Sequence, residues 1–89
     1  MRKKDFLICY DISDKKRLSK IAKTLEREAL RIQRSVYFYE EATKQELNEL
    51  IDNILKNFNK KKDRLAIYTI KDRGIALGSA MDLKSPLIF

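Results

Sequence analysis

The sequence contains no histidine and no tryptophan, and its 89 residues include one cysteine, one proline and two glycines. Without histidine the commonest general base at neutral pH is missing, which points to a metal-assisted reaction or to no reaction at all. Cys9 has no second cysteine for a disulfide and no histidine to activate it, so we interpret it as a core residue in a reducing compartment. Gly74 and Gly78 form no phosphate-loop pattern.

Long hydrophobic runs are also missing. No apolar stretch approaches the roughly 20 residues of a membrane span. The basic N-terminus is followed only by the short run from Phe6 to Tyr10, which is not a signal peptide. We therefore expect a cytoplasmic protein without a membrane partner. A chain of this length predicts one small domain, 1–89, and a domain with so modest a core is a candidate for oligomerisation.

Charge is abundant and mainly positive. Lys and Arg outnumber Asp and Glu by 20 to 13, which gives a net charge of +7 and favours a polyanionic partner such as DNA or RNA. The segment from Lys15 to Arg34 holds eight basic and two acidic residues. Within it, Lys16, Lys20, Lys23 and Arg27 recur at helical spacing and share one face. Such a face suits phosphates, although a solvated surface has the same pattern.

Hydrophobic periodicity predicts alternating strands and helices. The predicted elements are a strand at Phe6–Ile12, a helix at Asp14–Ala29, a strand at Arg31–Glu40, a helix from about Thr43, a strand at Leu65–Ile70, a short strand at Ile75–Leu77 and an edge strand at Pro86–Phe89. No turn signal interrupts the second strand. The order is nevertheless close to the ferredoxin-like βαββαβ pattern of an α/β (α+β) domain with a short C-terminal edge strand, and we expect the first and third long strands to lie centrally.

Two sets of polar residues are candidates for function. Asp11 ends an apolar strand, where it is a turn residue, a Mg²⁺ ligand or, with a raised pKa, a base. A symmetric dimer with its axis near Asp11 would supply a second carboxylate. Arg31, Gln33, Ser35 and Tyr37 alternate along the second strand, so we expect them on one polar side that binds nucleic acid, lines a dimer seam or simply faces water.

Two motifs carry a family resemblance. The strand end Tyr10–Asp14 and the segment Arg31–Tyr37, at this separation, resemble the second of the two universal CRISPR adaptation proteins over residues 5 to about 71. The resemblance implies a ferredoxin-like homodimer in which two copies of Asp11 face each other and bind Mg²⁺. It also implies a metal-dependent nuclease acting on single-stranded RNA or double-stranded DNA, which bridges two dimers of the CRISPR integrase when a spacer is captured.

The resemblance assigns roles to individual positions. Asp11 becomes the catalytic residue and metal ligand, while Tyr10, Arg31 and Tyr37 match neighbouring nucleic-acid-binding positions. The basic residue in the first helical turn corresponds to Lys16 or Arg17, and Lys20 joins the same nucleic-acid-binding set through the basic face. In the family that the motifs resemble, the last strand often pairs with the other protomer, and Leu87–Phe89 is the segment of this chain that could do so. Two alternatives remain open at this point, a virulence-associated toxin-type ribonuclease and a non-catalytic DNA-binding scaffold.

Overall fold

The computed structural model describes residues 3–70 and 83–89. Its elements are β1 (Lys4–Asp11), α1 (Lys15–Glu26), β2 (Leu30–Gln33), β3 (Val36–Ala42), α2 (Lys44–Leu55), β4 (Arg64–Ile70) and β5 (Leu83–Ile88). This order confirms the predicted ferredoxin-like α+β fold with a C-terminal edge strand. The short strand predicted at Ile75–Leu77 lies outside the described residues.

The five strands form one antiparallel sheet in the order β2-β3-β1-β4-β5. β1 lies at the centre, and β4 lies between β1 and β5, which confirms the predicted interior position of the first and third long strands. Asp11 at the end of β1 pairs with Arg64 at the start of β4. β5 pairs with β4 of its own chain, with Leu87 opposite Ile67, and it begins at Leu83 rather than at Pro86 as predicted.

The prediction of one continuous strand at Arg31–Glu40 is wrong. A two-residue turn at Arg34 and Ser35 divides the segment into β2 and β3. Ser35 has φ 73°, a left-handed conformation that glycine or asparagine normally signals in a sequence, and neither is present in this turn. The Ser35 carbonyl accepts a hydrogen bond of 3.1 Å from the Tyr10 amide, so β1 holds the turn in place.

Both helices begin where capping residues predict. The Asp14 side chain accepts from the Arg17 amide at the start of α1, and Thr43 forms a capping box with Glu46 at the start of α2. α1 ends at Glu26, earlier than the predicted Ala29, because the amides of the next turn bond back to the Leu25 carbonyl. Only three residues therefore separate the end of α1 from the start of β2.

The main core lies between one face of the sheet and the two helices. Its most deeply buried members are Ile8, Ile21, Leu25, Tyr37, Leu50, Ile54 and Leu65. Tyr37 therefore faces the helices, and the expectation that it belongs to a polar side of its strand is wrong. The tyrosine ring buries apolar area while its hydroxyl reaches a polar partner. A pattern of alternating polar and apolar residues therefore does not tell whether a tyrosine lies on the buried or the polar side.

The other face of the sheet carries no helix of the described residues. Leu7, Phe38 and Ile70 form a second, smaller apolar cluster there, and Cys9 and Tyr68 pack against it. Leu30, which pairs with Phe38, is 67% exposed, and Ile88, which pairs with Ala66, is 65% exposed. This helix-free face is therefore apolar at its centre and along both edges.

Candidate metal and nucleic-acid site

Asp11 is exposed at the end of β1. Strand side chains alternate between faces, and Asp11 follows Leu7 and Cys9 at even spacing, so it lies on the helix-free face. A shallow depression of about 250 Å³ beside it is lined by Cys9, Arg64, Ala66 and Ile88, among others. Within residues 3–70 and 83–89, the Asp11 carboxylate has neither an ion pair nor a side-chain hydrogen bond.

The Asp11 carboxylate meets part of what Mg²⁺ requires of a protein site. No group of three His, Cys, Asp or Glu side chains in the described parts of the chain could enclose a metal ion. Mg²⁺ is commonly held by only one or two carboxylates together with waters and phosphate oxygens. An exposed carboxylate that forms no ion pair within the described residues fits that pattern as one ligand.

Arg17 has a role that the sequence did not reveal. Its Nε donates to Asp63 Oδ2 over 2.9 Å and its Nη2 donates to Asp63 Oδ1 over 3.0 Å. The Asp63 side chain is 0% exposed, whereas that of Arg17 is 26% exposed. The Arg17 hydrogen bonds, helped by the amides of Asn59 and Ser13, hold the pKa of Asp63 well below its ordinary value. The two residues are 46 positions apart, and no spacing rule connects them.

Tyr10 and Tyr37 lie together beneath α1. Their rings stack with centroids 6.0 Å apart and planes inclined by 24°, and both are buried. The Tyr37 hydroxyl donates to Glu26 Oε2 over 3.3 Å, and burial is the main reason why the pKa of Tyr37 is raised. Tyr37 is 0% exposed, so its ring has no free face for a nucleic-acid base. Direct binding by these two residues remains a sequence prediction.

A groove between α1 and the β2–β3 turn brings several predicted residues together. Its volume is about 400 Å³, and three cations, Lys15, Arg31 and Arg34, line it together with Tyr10 and Ser35. Lys15 and Arg34 belong to the basic segment, but the sequence motifs assign a nucleic-acid role to Arg31 alone of these three cations. Because they converge with Arg31 on one concave surface, this groove suits a phosphate-bearing ligand.

Lys16 and Lys20 do not line that groove. Both are exposed on α1, as is Lys23, and Arg27 is exposed at the C-cap of the helix. The basic face of α1 is therefore open to solvent, as its spacing predicted. No helix in the part of the chain that is described could span a membrane.

Solved structures show the same fold. A hypothetical protein TT1823 from Thermus thermophilus matches 96% of this chain and 99% of its own chain, with a TM-score of 0.76 and 24% identity. Streptococcus pyogenes Cas2, solved at pH 6.5, matches 85% of this chain and 96% of its own, with a TM-score of 0.73 and 21% identity. At these identities the likeness is evidence for the fold alone.

Sequence relatives give the family. The chain is 34% identical to CRISPR-associated endoribonuclease Cas2 1 of Nitrosomonas europaea over 80% of this chain and 67% of the relative. It is 36% identical to CRISPR-associated endoribonuclease Cas2 2 of Thermodesulfovibrio yellowstonii over 79% of this chain and 76% of the relative. The family model described as CRISPR associated protein Cas2 matches residues 4–76. These matches confirm the resemblance in the two sequence motifs, and the chain belongs to the CRISPR associated protein Cas2 family.

Proposed function

We propose that this chain is a homodimeric, Mg²⁺-dependent endonuclease of RNA or DNA that also bridges CRISPR integrase dimers during spacer acquisition. The relatives named as endoribonucleases support the reaction class. The observation that carries the proposal is the position of Asp11, an exposed carboxylate on the helix-free, apolar face of the sheet. That position makes a second copy of the chain the natural source of the missing ligand.

The helix-free face supports the dimer. Leu30 and Ile88 expose most of their surface there, and exposed apolar patches of this kind commonly mark protein interfaces. In a two-fold dimer the same patch is used on both subunits, so an axis near the end of β1 brings two copies of Asp11 together. One chain alone would then hold half of a metal site.

The chemistry follows from the groups available. A bound Mg²⁺ would polarise a phosphodiester and lower the pKa of an attacking water. Asp11 from each subunit would hold the ion, since the chain offers no histidine as a base or ligand. Tyr10 lines both the depression beside Asp11 and the basic groove. The three cations of that groove, Lys15, Arg31 and Arg34, would bind flanking phosphates. The protein would mainly hold the metal ion and the phosphates in place through its charged side chains.

The test is the substitution Asp11→Asn, with Asp52→Asn as the control. Asp52 is an exposed carboxylate on α2, and its substitution changes the net charge equally. We expect Asp11→Asn to lower Mg²⁺-dependent cleavage of labelled single-stranded RNA and double-stranded DNA by at least about 100-fold. The control should cleave normally, and light scattering should find both variants dimeric. Normal cleavage by dimeric Asp11→Asn would refute the assignment of Asp11.

Spacer acquisition in cells separates the enzyme from a non-catalytic scaffold. If Asp11→Asn abolishes cleavage but cells still acquire spacers, bridging of integrase dimers does not require the nuclease site. Loss of acquisition while the dimer and its integrase complex persist would contradict a pure scaffold. The alternative of a toxin-type ribonuclease is not favoured, because the sequence relatives reported above carry CRISPR names. A neighbouring integrase gene and repeat array would decide the matter independently.

A further inference from the structure

We propose that a second basic pocket, at the C-terminal end of α2, binds backbone phosphates of the nucleic acid. The pocket has a volume of about 600 Å³, and its polar lining consists of Arg17, Lys56, Asn57, Asn59, Lys60 and Lys61. Of these residues, Arg17 is the one that the family motifs assigned to nucleic-acid binding. The inference rests on nucleic-acid binding in the function proposed above and adds a contact surface to it.

The loop that forms the pocket is held by internal hydrogen bonds. The Asn59 amide donates to Asp63 Oδ2 over 2.9 Å, and the Asn59 carbonyl accepts from the amides of Lys62 and Asp63 over 3.1 and 2.8 Å. The Asn59 side chain accepts from the Lys61 amide over 2.9 Å. The backbone beneath the lysines is therefore ordered before any ligand binds, which lowers the entropic cost of binding.

Cations from two distant parts of the chain converge on this pocket. Arg17 comes from α1, whereas Lys56, Lys60 and Lys61 follow α2. Residues 56–62 contain four lysines and no acid, and the nearby Asp63 is buried behind the loop and bonded to Arg17. Like charges that share one concavity repel one another, and the negative end of the α2 dipole offsets only part of this repulsion. An anion is the ligand that this arrangement favours.

The pocket continues the basic face of α1, which favours a polymer over a single phosphate. Arg17 and Lys20 are three residues apart on the helix and are surface neighbours. From Lys16 to Arg27 the basic face extends about 16 Å at the helical rise per residue. With a rise of about 3.4 Å per nucleotide, a strand crossing both surfaces would contact several successive phosphates.

The experiment compares two double variants of equal charge. Lys60→Gln/Lys61→Gln removes two cations from the pocket, and Lys3→Gln/Lys44→Gln removes two exposed lysines that lie outside residues 56–62 and do not line it. Fluorescence anisotropy with a 30-bp DNA duplex would measure affinity between about 50 and 200 mM salt. We expect the pocket variant to flatten the slope of log affinity against log salt by about 0.9 per lost contact, up to about 1.8. The control slope should stay close to that of the unsubstituted protein.

Two results would overturn the inference in distinguishable ways. Equal salt slopes for the pocket variant, the control and the unsubstituted protein would refute phosphate binding in the pocket. This result would leave the proposal of nucleic-acid binding by the protein intact. A further variant, Lys16→Gln/Lys20→Gln, would then show whether the basic face of α1 makes the contacts. If the unsubstituted protein shows no salt-dependent binding to duplex DNA or single-stranded RNA, the proposed function fails together with the pocket. Because all substituted lysines are exposed, folding is preserved in each variant.

Discussion

Replacing Asp63 by alanine should destabilise the fold more than any surface substitution near it. The two carboxylate oxygens accept five hydrogen bonds from Ser13, Arg17 and Asn59. Ser13 lies just before α1, Arg17 lies in its first turn, and Asn59 lies in the loop before β4. One side chain therefore joins α1 to the edge of the sheet where β1 ends and β4 begins. In the alanine variant the amides of Ser13 and Asn59 lose their acceptor, and the Arg17 guanidinium loses its counterion.

The expected cost follows from burial. Breaking a buried ion pair by removing one partner costs about 3–5 kcal/mol. Arg17 is partly exposed, so water replaces some of its lost interaction, and we expect the lower end, about 3 kcal/mol. For a domain of this size that loss corresponds to a fall in Tm of roughly 12 to 24 °C. Asp63→Asn keeps one oxygen acceptor and should cost about 2 kcal/mol.

The pH dependence gives an independent signature. Because the Arg17 hydrogen bonds hold the folded-state pKa of Asp63 below its unfolded value of about 3.9, this carboxylate stabilises the fold fully above that value. The stabilisation is lost as pH falls below about 4 towards the lowered folded-state pKa. The free energy of unfolding of Asp63→Asn should therefore fall less steeply with acid than that of the unsubstituted protein.

Urea unfolding followed by circular dichroism, from pH 7 down to about 2.5, measures both effects. Asp52→Asn is the control, since it removes an exposed carboxylate from α2, and its stability should change by less than about 0.5 kcal/mol. A loss below about 1 kcal/mol for Asp63→Ala, or the same acid slope for Asp63→Asn and the control, would refute the structural role of this carboxylate.

Two further stability measurements test local features. Thr43→Ala removes the capping box of α2 and should cost about 1 kcal/mol in the same urea assay, and no change would mean that the box does not form in solution. At Ser35, with its positive φ, the glycine variant should be more stable than the alanine variant by about 1 kcal/mol. The opposite order would show that the β2–β3 turn has another conformation in solution.

The elements with a strong hydrophobic period were predictable from sequence. β1 and β4 are apolar on both faces because one face packs against the helices and the other contributes to the smaller apolar cluster. α2 combines an apolar stripe with a Thr43 cap that marks its start. The β2–β3 turn was not predictable, because Ser35 adopts a conformation for which serine is an uncommon choice. Tyr37 and Phe38 lie on opposite faces of β3, and only the structure shows that the tyrosine faces the helices and the phenylalanine faces away from them.

The candidate site likewise has some features that the local sequence shows and others that depend on the whole fold. That Asp11 ends a strand is a local property, visible as the point where an apolar run stops. Its place on the helix-free face depends on the parity of β1 and on which face the helices cover, and the latter is a property of the whole fold. The basic pocket likewise needs Arg17 and the loop after α2 to meet in space.

Asp11 and Asp63 illustrate why an acidic residue in a sequence does not by itself indicate a ligand. The oxygens of Asp63 accept five hydrogen bonds, two of them from Arg17, so that carboxylate has no capacity left for a metal ion. Asp11 is exposed, and its carboxylate forms no ion pair or side-chain hydrogen bond with another described residue. Asp11 ends β1, and Asp63 directly precedes β4. Of these two carboxylates, only Asp11 is free to bind a cation. Because a single free carboxylate binds Mg²⁺ weakly, its placement on an apolar face that a second copy can cover is what makes a metal site there physically reasonable.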